Sequence, residues 1–184
     1  MKQMKCIHPR KAHKLMEDFL NLASDLYYTY DDCDEQDKTE ITLVKSDCFS
    51  AESVSCVADY DTLEVYYNLD GLFDDGMKMF RSYWTNKVPM LKGFADITLT
   101  LLHELGHLET NDKIRKTFSS ELRQLAWFAI DNKFDNVVDK NFQYFGMPDE
   151  ATATKWGIAW LSNSEHRKLA KAFEQKFFTC FVEI

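Results

Sequence analysis

The chain has 184 residues, 45% of them hydrophobic, enough to bury a sizeable core. A formal net charge of -8 at neutral pH argues against direct nucleic acid binding, which needs clustered cations to meet phosphates. With six Gly, three Pro and no apolar run as long as a membrane span, long linkers and a transmembrane segment are not expected, and residues 1–184 are read as one domain.

The N-terminal segment, Met1 to Lys14, carries Lys and Arg without an apolar stretch behind them, so no secretory signal is expected. Five cysteines (Cys6, Cys33, Cys48, Cys56 and Cys180) form no CxxC pair and fit reduced thiols. Both observations point to a cytoplasmic protein. Cys6, His8 and His13 lack recognised metal-ligand spacing and read as scattered residues.

After Pro9, the spacing of Ala12, Leu15, Met16, Phe19, Leu20, Leu22, Ala23 and Leu26 predicts an amphipathic helix from Arg10 to about Tyr28. Asp31 to Asp37 lacks the glycine and terminal Glu of a calcium loop and reads as a solvated loop. Glu40 to Lys45, Ser53 to Ala58 and Thr62 to Asn68 are short β-branched or aromatic runs, predicting a small antiparallel sheet. A short helix within Gly71 to Trp84 and a turn at Asn86 to Met90 follow. Leu91 to Leu108 then reads as one amphipathic helix, with Phe94, Thr98, Leu101, Leu105 and Leu108 as its buried stripe. Ser119 to Val138 predicts a long helix with Leu122, Leu125, Phe128, Ala129 and Phe134 inside. Pro148 and Asp149 mark another helix start, and Ser162 with Glu165 reads as a capping box for a final helix through Phe177. The fold class is therefore α+β and mainly helical.

The chemistry concentrates in His103-Glu104-Leu105-Gly106-His107. Residues i and i+4 of a helix share one face about 5 to 6 Å apart, so both imidazoles can turn a nitrogen toward one Zn²⁺. Glu104 lies roughly 100° around the helix, placed to take a proton from an attacking water without ligating the metal. Gly106 costs a helix interior about 1 kcal/mol relative to Ala, which suggests close approach of another backbone.

Two histidines supply two ligands, and a catalytic zinc needs a third. Glu150 is the leading candidate, because the small residues Ala151, Ala153 and Thr154 would let its helix pack closely near Gly106. Asp112, His166, Glu109 and Asp149 are the rivals. Of these, His166 lies in a Lys/Arg-rich stretch that reads as exposed, and Glu109 reads as a supporting partner. Thr154, one turn after Glu150, is placed to hydrogen-bond a ligand imidazole. Tyr144 is a candidate donor to a developing oxyanion.

A strand of the form Thr62 to Asn68, a helix ending in His-Glu-Leu-Gly-His and a later helix opening Glu-x-x-Ala resemble the small gluzincin-type zinc metallopeptidases of the ImmA/IrrE class. The resemblance spans roughly Val57 to Leu161. It implies a zincin-like domain, His103, His107 and Glu150 as metal ligands, Glu104 as general base, and an edge strand, here Leu63 to Asn68, that pairs with extended substrate. It also implies a protein substrate such as a transcriptional repressor of a phage or mobile element. Two alternatives stay open: a non-enzymatic zincin-fold interaction protein with a structural or absent zinc, and an effector acting on a host protein through the same cleft.

Overall fold

The computed structural model describes residues 4–28, 41–45, 56–59, 62–69 and 75–184. A short strand β1 (Met4–Cys6) leads into helix α1 (Pro9–Tyr28), where proline takes the first helical position, the one place its missing N–H costs nothing. Ala12, Met16, Phe19, Leu20 and Ala23 of α1 are buried as their spacing predicts. Leu22 departs from that stripe and is 42% exposed, since two residues on from Leu20 is about 200° around the helix.

Strands β2 (Thr42–Lys45), β3 (Cys56–Asp59) and β4 (Glu64–Tyr67) form one sheet in the order β2-β4-β3. The sheet is mixed: β3 and β4 pair antiparallel, as predicted, while β2 runs parallel to β4. The last strand is thus central and bonded on both sides. The expectation that Leu63 to Asn68 offers a free edge is therefore corrected, and among the described residues the edge strands are β2 and β3. The acidic stretch Asp31 to Asp37, Cys33, Cys48, the start of the predicted strand at Ser53 and the segment 71–74 lie outside the described residues.

Helix α2 (Asp75–Lys87) and a 3-10 turn (Pro89–Gly93) precede the motif helix α3 (Asp96–Arg115). The predicted single helix from Leu91 to Leu108 is broken at Phe94 and Ala95, both in extended conformation, and it runs on to Arg115. Of the predicted buried stripe, Phe94, Thr98, Leu101 and Leu105 are buried and Leu108 partly so. Every residue from Ile97 to His107 is buried, because α1, the sheet and a later helix enclose this stretch. Ala95 offers no capping side chain. Glu174, from a distant helix, instead accepts the Ala95 N–H at 2.6 Å and the Thr98 hydroxyl at 2.8 Å.

The long helix expected over Ser119 to Val138 is two helices, α4 (Ser120–Lys133) and α5 (Val137–Tyr144), parted where Phe134 turns extended. Ser119 caps α4 by accepting from the Leu122 N–H. The predicted burial is wrong for α4. Leu122, Leu125 and Phe128 are 48%, 64% and 67% exposed, Ala129 is exposed, and no α4 residue is buried. Apolar spacing identified the helix but not whether its apolar side meets a neighbour.

Helix α6 (Pro148–Ser162) again opens on proline, with Asp149 and Glu150 in the first turn where the helix dipole favours anions. Helix α7 (Ser164–Phe178) is capped by Asn163, whose side chain accepts the Glu165 N–H. Ser162 is still inside α6 and bonds back to the Ile158 carbonyl, which replaces the predicted capping box. Strand β5 (Phe181–Glu183) closes the chain against β1 in an antiparallel pair. The core runs from α1 through the sheet to α3, α6 and α7, with Phe19 stacked on Phe173 at 4.4 Å. The protein is α+β and mainly helical, and among the described residues no helix is long and apolar enough to cross a membrane.

Candidate metal centre

The site is built where α3 and α6 press together. A Cβ on Gly106 would lie 2.4 Å from the Ala153 carbonyl oxygen, so only glycine lets the two backbones meet here. A Cβ on Gly157, one turn further along α6, would lie 2.6 Å from the Trp84 ring. This close packing brings the first turn of α6 level with the last buried turn of α3.

His103, His107 and Glu150 converge there, with one ligand atom from each lying within 4.8 Å of the others, and all three residues buried. Glu150 Oε2 lies 2.9 Å from His103 Nε2 and 3.4 Å from His107 Nε2, and the two Nε2 atoms are 3.1 Å apart. Thr154 Oγ1 sits 3.1 Å from His103 Nδ1. Were Nδ1 to donate to that hydroxyl, Nε2 would offer its lone pair to an ion in place of the N–H it gives Glu150 in the metal-free protein. Phe80 packs edge-on against the His103 ring at 4.9 Å and Trp84 at 6.3 Å, a wall that fixes the imidazole plane.

Glu104 is buried beside this group. Its Oε2 accepts the Ala58 N–H of β3 at 2.9 Å, which ties the motif helix to the edge of the sheet. Burial raises its pKa to about 7, against the lowering effect of His107. Burial also lowers the His103 pKa, aided by His107. For His107 burial acts the same way, but hydrogen bonding and charge from Glu150 outweigh it and leave the pKa raised. Burial opposes ionisation of Glu150 too, yet its hydrogen bonds to both histidines hold its pKa well below the ordinary carboxylate value.

Of the rival ligands, Asp149 is turned away, its Oδ2 2.5 Å from Arg123 Nε. Glu109 accepts from the Ser24 hydroxyl at 2.9 Å, and Asp112 is exposed. His166 is not the surface residue its basic surroundings suggested. It is buried, stacked on Trp160 at 4.4 Å, with Nδ1 2.9 Å from the Trp160 carbonyl oxygen. Tyr144 does reach the site, where its hydroxyl accepts from Arg123 Nη2 at 2.9 Å. His13, from the N-terminal segment, lies instead against the Tyr67 hydroxyl at 2.9 Å.

Three features escaped the sequence reading: the Ala58 amide, the Phe80–Trp84 wall and Arg123. The one local signal for Arg123 was its place early in α4, where the helix dipole disfavours a cation. Beside the centre, His107, Ile114, Arg115, Phe118, Arg123 and Asp149 help to line a cavity of about 100 Å³ between α3 and α4.

Two imidazole nitrogens and one carboxylate oxygen form the donor set of a zinc site that keeps a fourth position for a reactant. The residues present therefore fit Zn²⁺. No family model matches the chain, no curated protein matches its sequence, and no solved structure matches its fold.

Proposed function

We propose that the protein is a zinc-dependent metallopeptidase that hydrolyses a peptide bond within a protein substrate, with His103, His107 and Glu150 holding the metal. The observation that carries this reading is the convergence of these three buried side chains with a second buried carboxylate, Glu104, beside them but held by a strand amide. A purely structural ion would need no such carboxylate next to it.

Zn²⁺ bound there supplies Lewis acidity, polarising the scissile carbonyl and acidifying the attacking water. Glu104 removes a proton as the water oxygen bonds to the carbonyl carbon, and returns it to the amine nitrogen as the C–N bond breaks. Thr154 keeps the His103 ring in the ligand tautomer. The Ala58 N–H anchors Glu104 and also sets the outer edge of β3 alongside the motif. An extended substrate segment then adds to the sheet along β3, taking the place that Leu63 to Asn68 was expected to fill. The resemblance of the motif and its flanking elements to the ImmA/IrrE class supports a regulatory protein, such as a transcriptional repressor of a phage or mobile element, as the substrate.

The test is metal content by elemental analysis of wild type, His103→Ala, Glu150→Ala and Glu104→Gln, followed by incubation with candidate protein substrates. Near-stoichiometric zinc that is lost in the first two variants and retained without hydrolysis in the third is the expected result. Failure of the wild type to bind zinc on reconstitution sinks the reading.

A further inference from the structure

Glu150 has two carboxylate oxygens, and the site uses them differently. Oε2 faces both imidazoles, at 2.9 and 3.4 Å, while Oε1 accepts from Arg123 Nη2 at 2.9 Å. Arg123 comes from α4, a helix that buries none of its own residues, and it is the residue by which that helix reaches the metal centre. Its guanidinium is fixed in turn. Nε bonds Asp149 Oδ2 at 2.5 Å, and Nη2 also donates to the Tyr144 hydroxyl. The planar fork therefore holds two consecutive carboxylates of α6 in different orientations.

Resting on the zinc reading above, we propose that Arg123 is a positioning residue for the metal centre, locking Glu150 so that only Oε2 is turned to the ion. Without that lock the Glu150 carboxylate rotates about its last torsion, which is soft, and the ligand oxygen is no longer predefined. Partners of this kind, one step out from the ligands, typically contribute 10–100-fold to metal affinity.

The sign of the effect separates positioning from simple charge. Removing a cation near Zn²⁺ strengthens the attraction of the site for the ion if charge is all that matters. It weakens binding if orientation matters more.

Zinc affinity, measured by competition with a chromophoric chelator, and the visible absorption of the Co²⁺-substituted protein are compared for wild type, Arg123→Ala and Arg123→Lys. The expected result is roughly 10–100-fold weaker zinc binding and an altered Co²⁺ band for Arg123→Ala, with Arg123→Lys in between, because a single ammonium cannot hold both carboxylates. Zinc binding by Arg123→Ala that is unchanged or tighter, with an unaltered Co²⁺ spectrum, overturns the proposal and reduces Arg123 to a charge partner of Asp149 and Glu150. Should Arg123→Ala not fold, Arg123→Lys decides on the same two readouts, and wild-type behaviour there is equally fatal. A wild type that takes up no zinc overturns the metallopeptidase reading first, and this one with it.

Discussion

Gly106 of the motif helix lies directly against the backbone of Ala153. A Cβ at position 106 would sit 2.4 Å from the Ala153 carbonyl oxygen and 2.9 Å from its Cα. Neither obstacle is the end of a flexible side chain, so the helices themselves must part. Gly106→Ala is therefore expected to destabilise the protein by about 3 kcal/mol, at the upper end of overpacking effects, despite the better helix propensity of Ala. Because α6 carries Glu150, the same separation moves a metal ligand away from His103 and His107. Urea unfolding and a zinc titration of the variant check both effects, and wild-type behaviour in both would show that the contact can relax.

This contact also marks what could be read from the sequence. The metal ligand pair is local, since His103 and His107 are set one turn apart by helix geometry alone. Glu150 was reachable through a second local signal, a helix start followed by small residues opposite a glycine. The parallel pairing of β2 with β4 was not legible, because which strand lies beside which is decided by packing across the chain. Nor was the exposure of Leu125 and Phe128, because periodicity gives the apolar side of a helix but not its neighbour. Arg123 and the Ala58 amide act over 27 and 46 residues of separation, beyond any spacing rule.

The start of the motif helix depends on a borrowed cap. Glu174 is 7% exposed and accepts from the Ala95 N–H and the Thr98 hydroxyl, with Lys171 Nζ at 2.6 Å balancing its charge. Glu174→Ala leaves a buried donor unpaired and is expected to cost about 2 kcal/mol in urea unfolding. Glu174→Gln, which keeps an accepting oxygen, should cost less. Equal losses in the two variants would show that packing, not capping, is what Glu174 contributes.

Helix α4 makes the opposite prediction. Leu125 and Phe128 are 64% and 67% exposed, so the double substitution to Ser removes little buried surface. Its effect on the unfolding midpoint should stay within about 0.5 kcal/mol. Had the two residues been buried as their spacing suggested, the loss would be several kcal/mol. Thermal and urea unfolding distinguish the two cases directly.

Glu104 links function to stability through its protonation. In the metal-free protein its pKa is raised by burial to about 7 from the ordinary 4.5, with His107, Glu150, Arg123 and the Ala58 N–H around it. A raised carboxylate pKa means that the folded state holds the proton more tightly than the unfolded chain does. The associated stability is full below pH 4.5 and is lost as pH rises through about 7. The gap between 7 and 4.5, at about 1.4 kcal/mol per pH unit, comes to roughly 3 kcal/mol. Glu104→Gln carries no such charge, so chelator-treated Glu104→Gln should match wild type near pH 4.5 and exceed it by about that amount near pH 8. His107 and Glu104 each favour the charged form of the other, so the measured difference reports the titration of the pair and not of Glu104 alone. The same substitution abolishes hydrolysis in the proposed mechanism, so a buried base that destabilises the empty site would be retained for its chemistry. Urea unfolding of both proteins across pH 4.5 to 8 measures the difference, and a value independent of pH would place the Glu104 carboxylate in water rather than in the core.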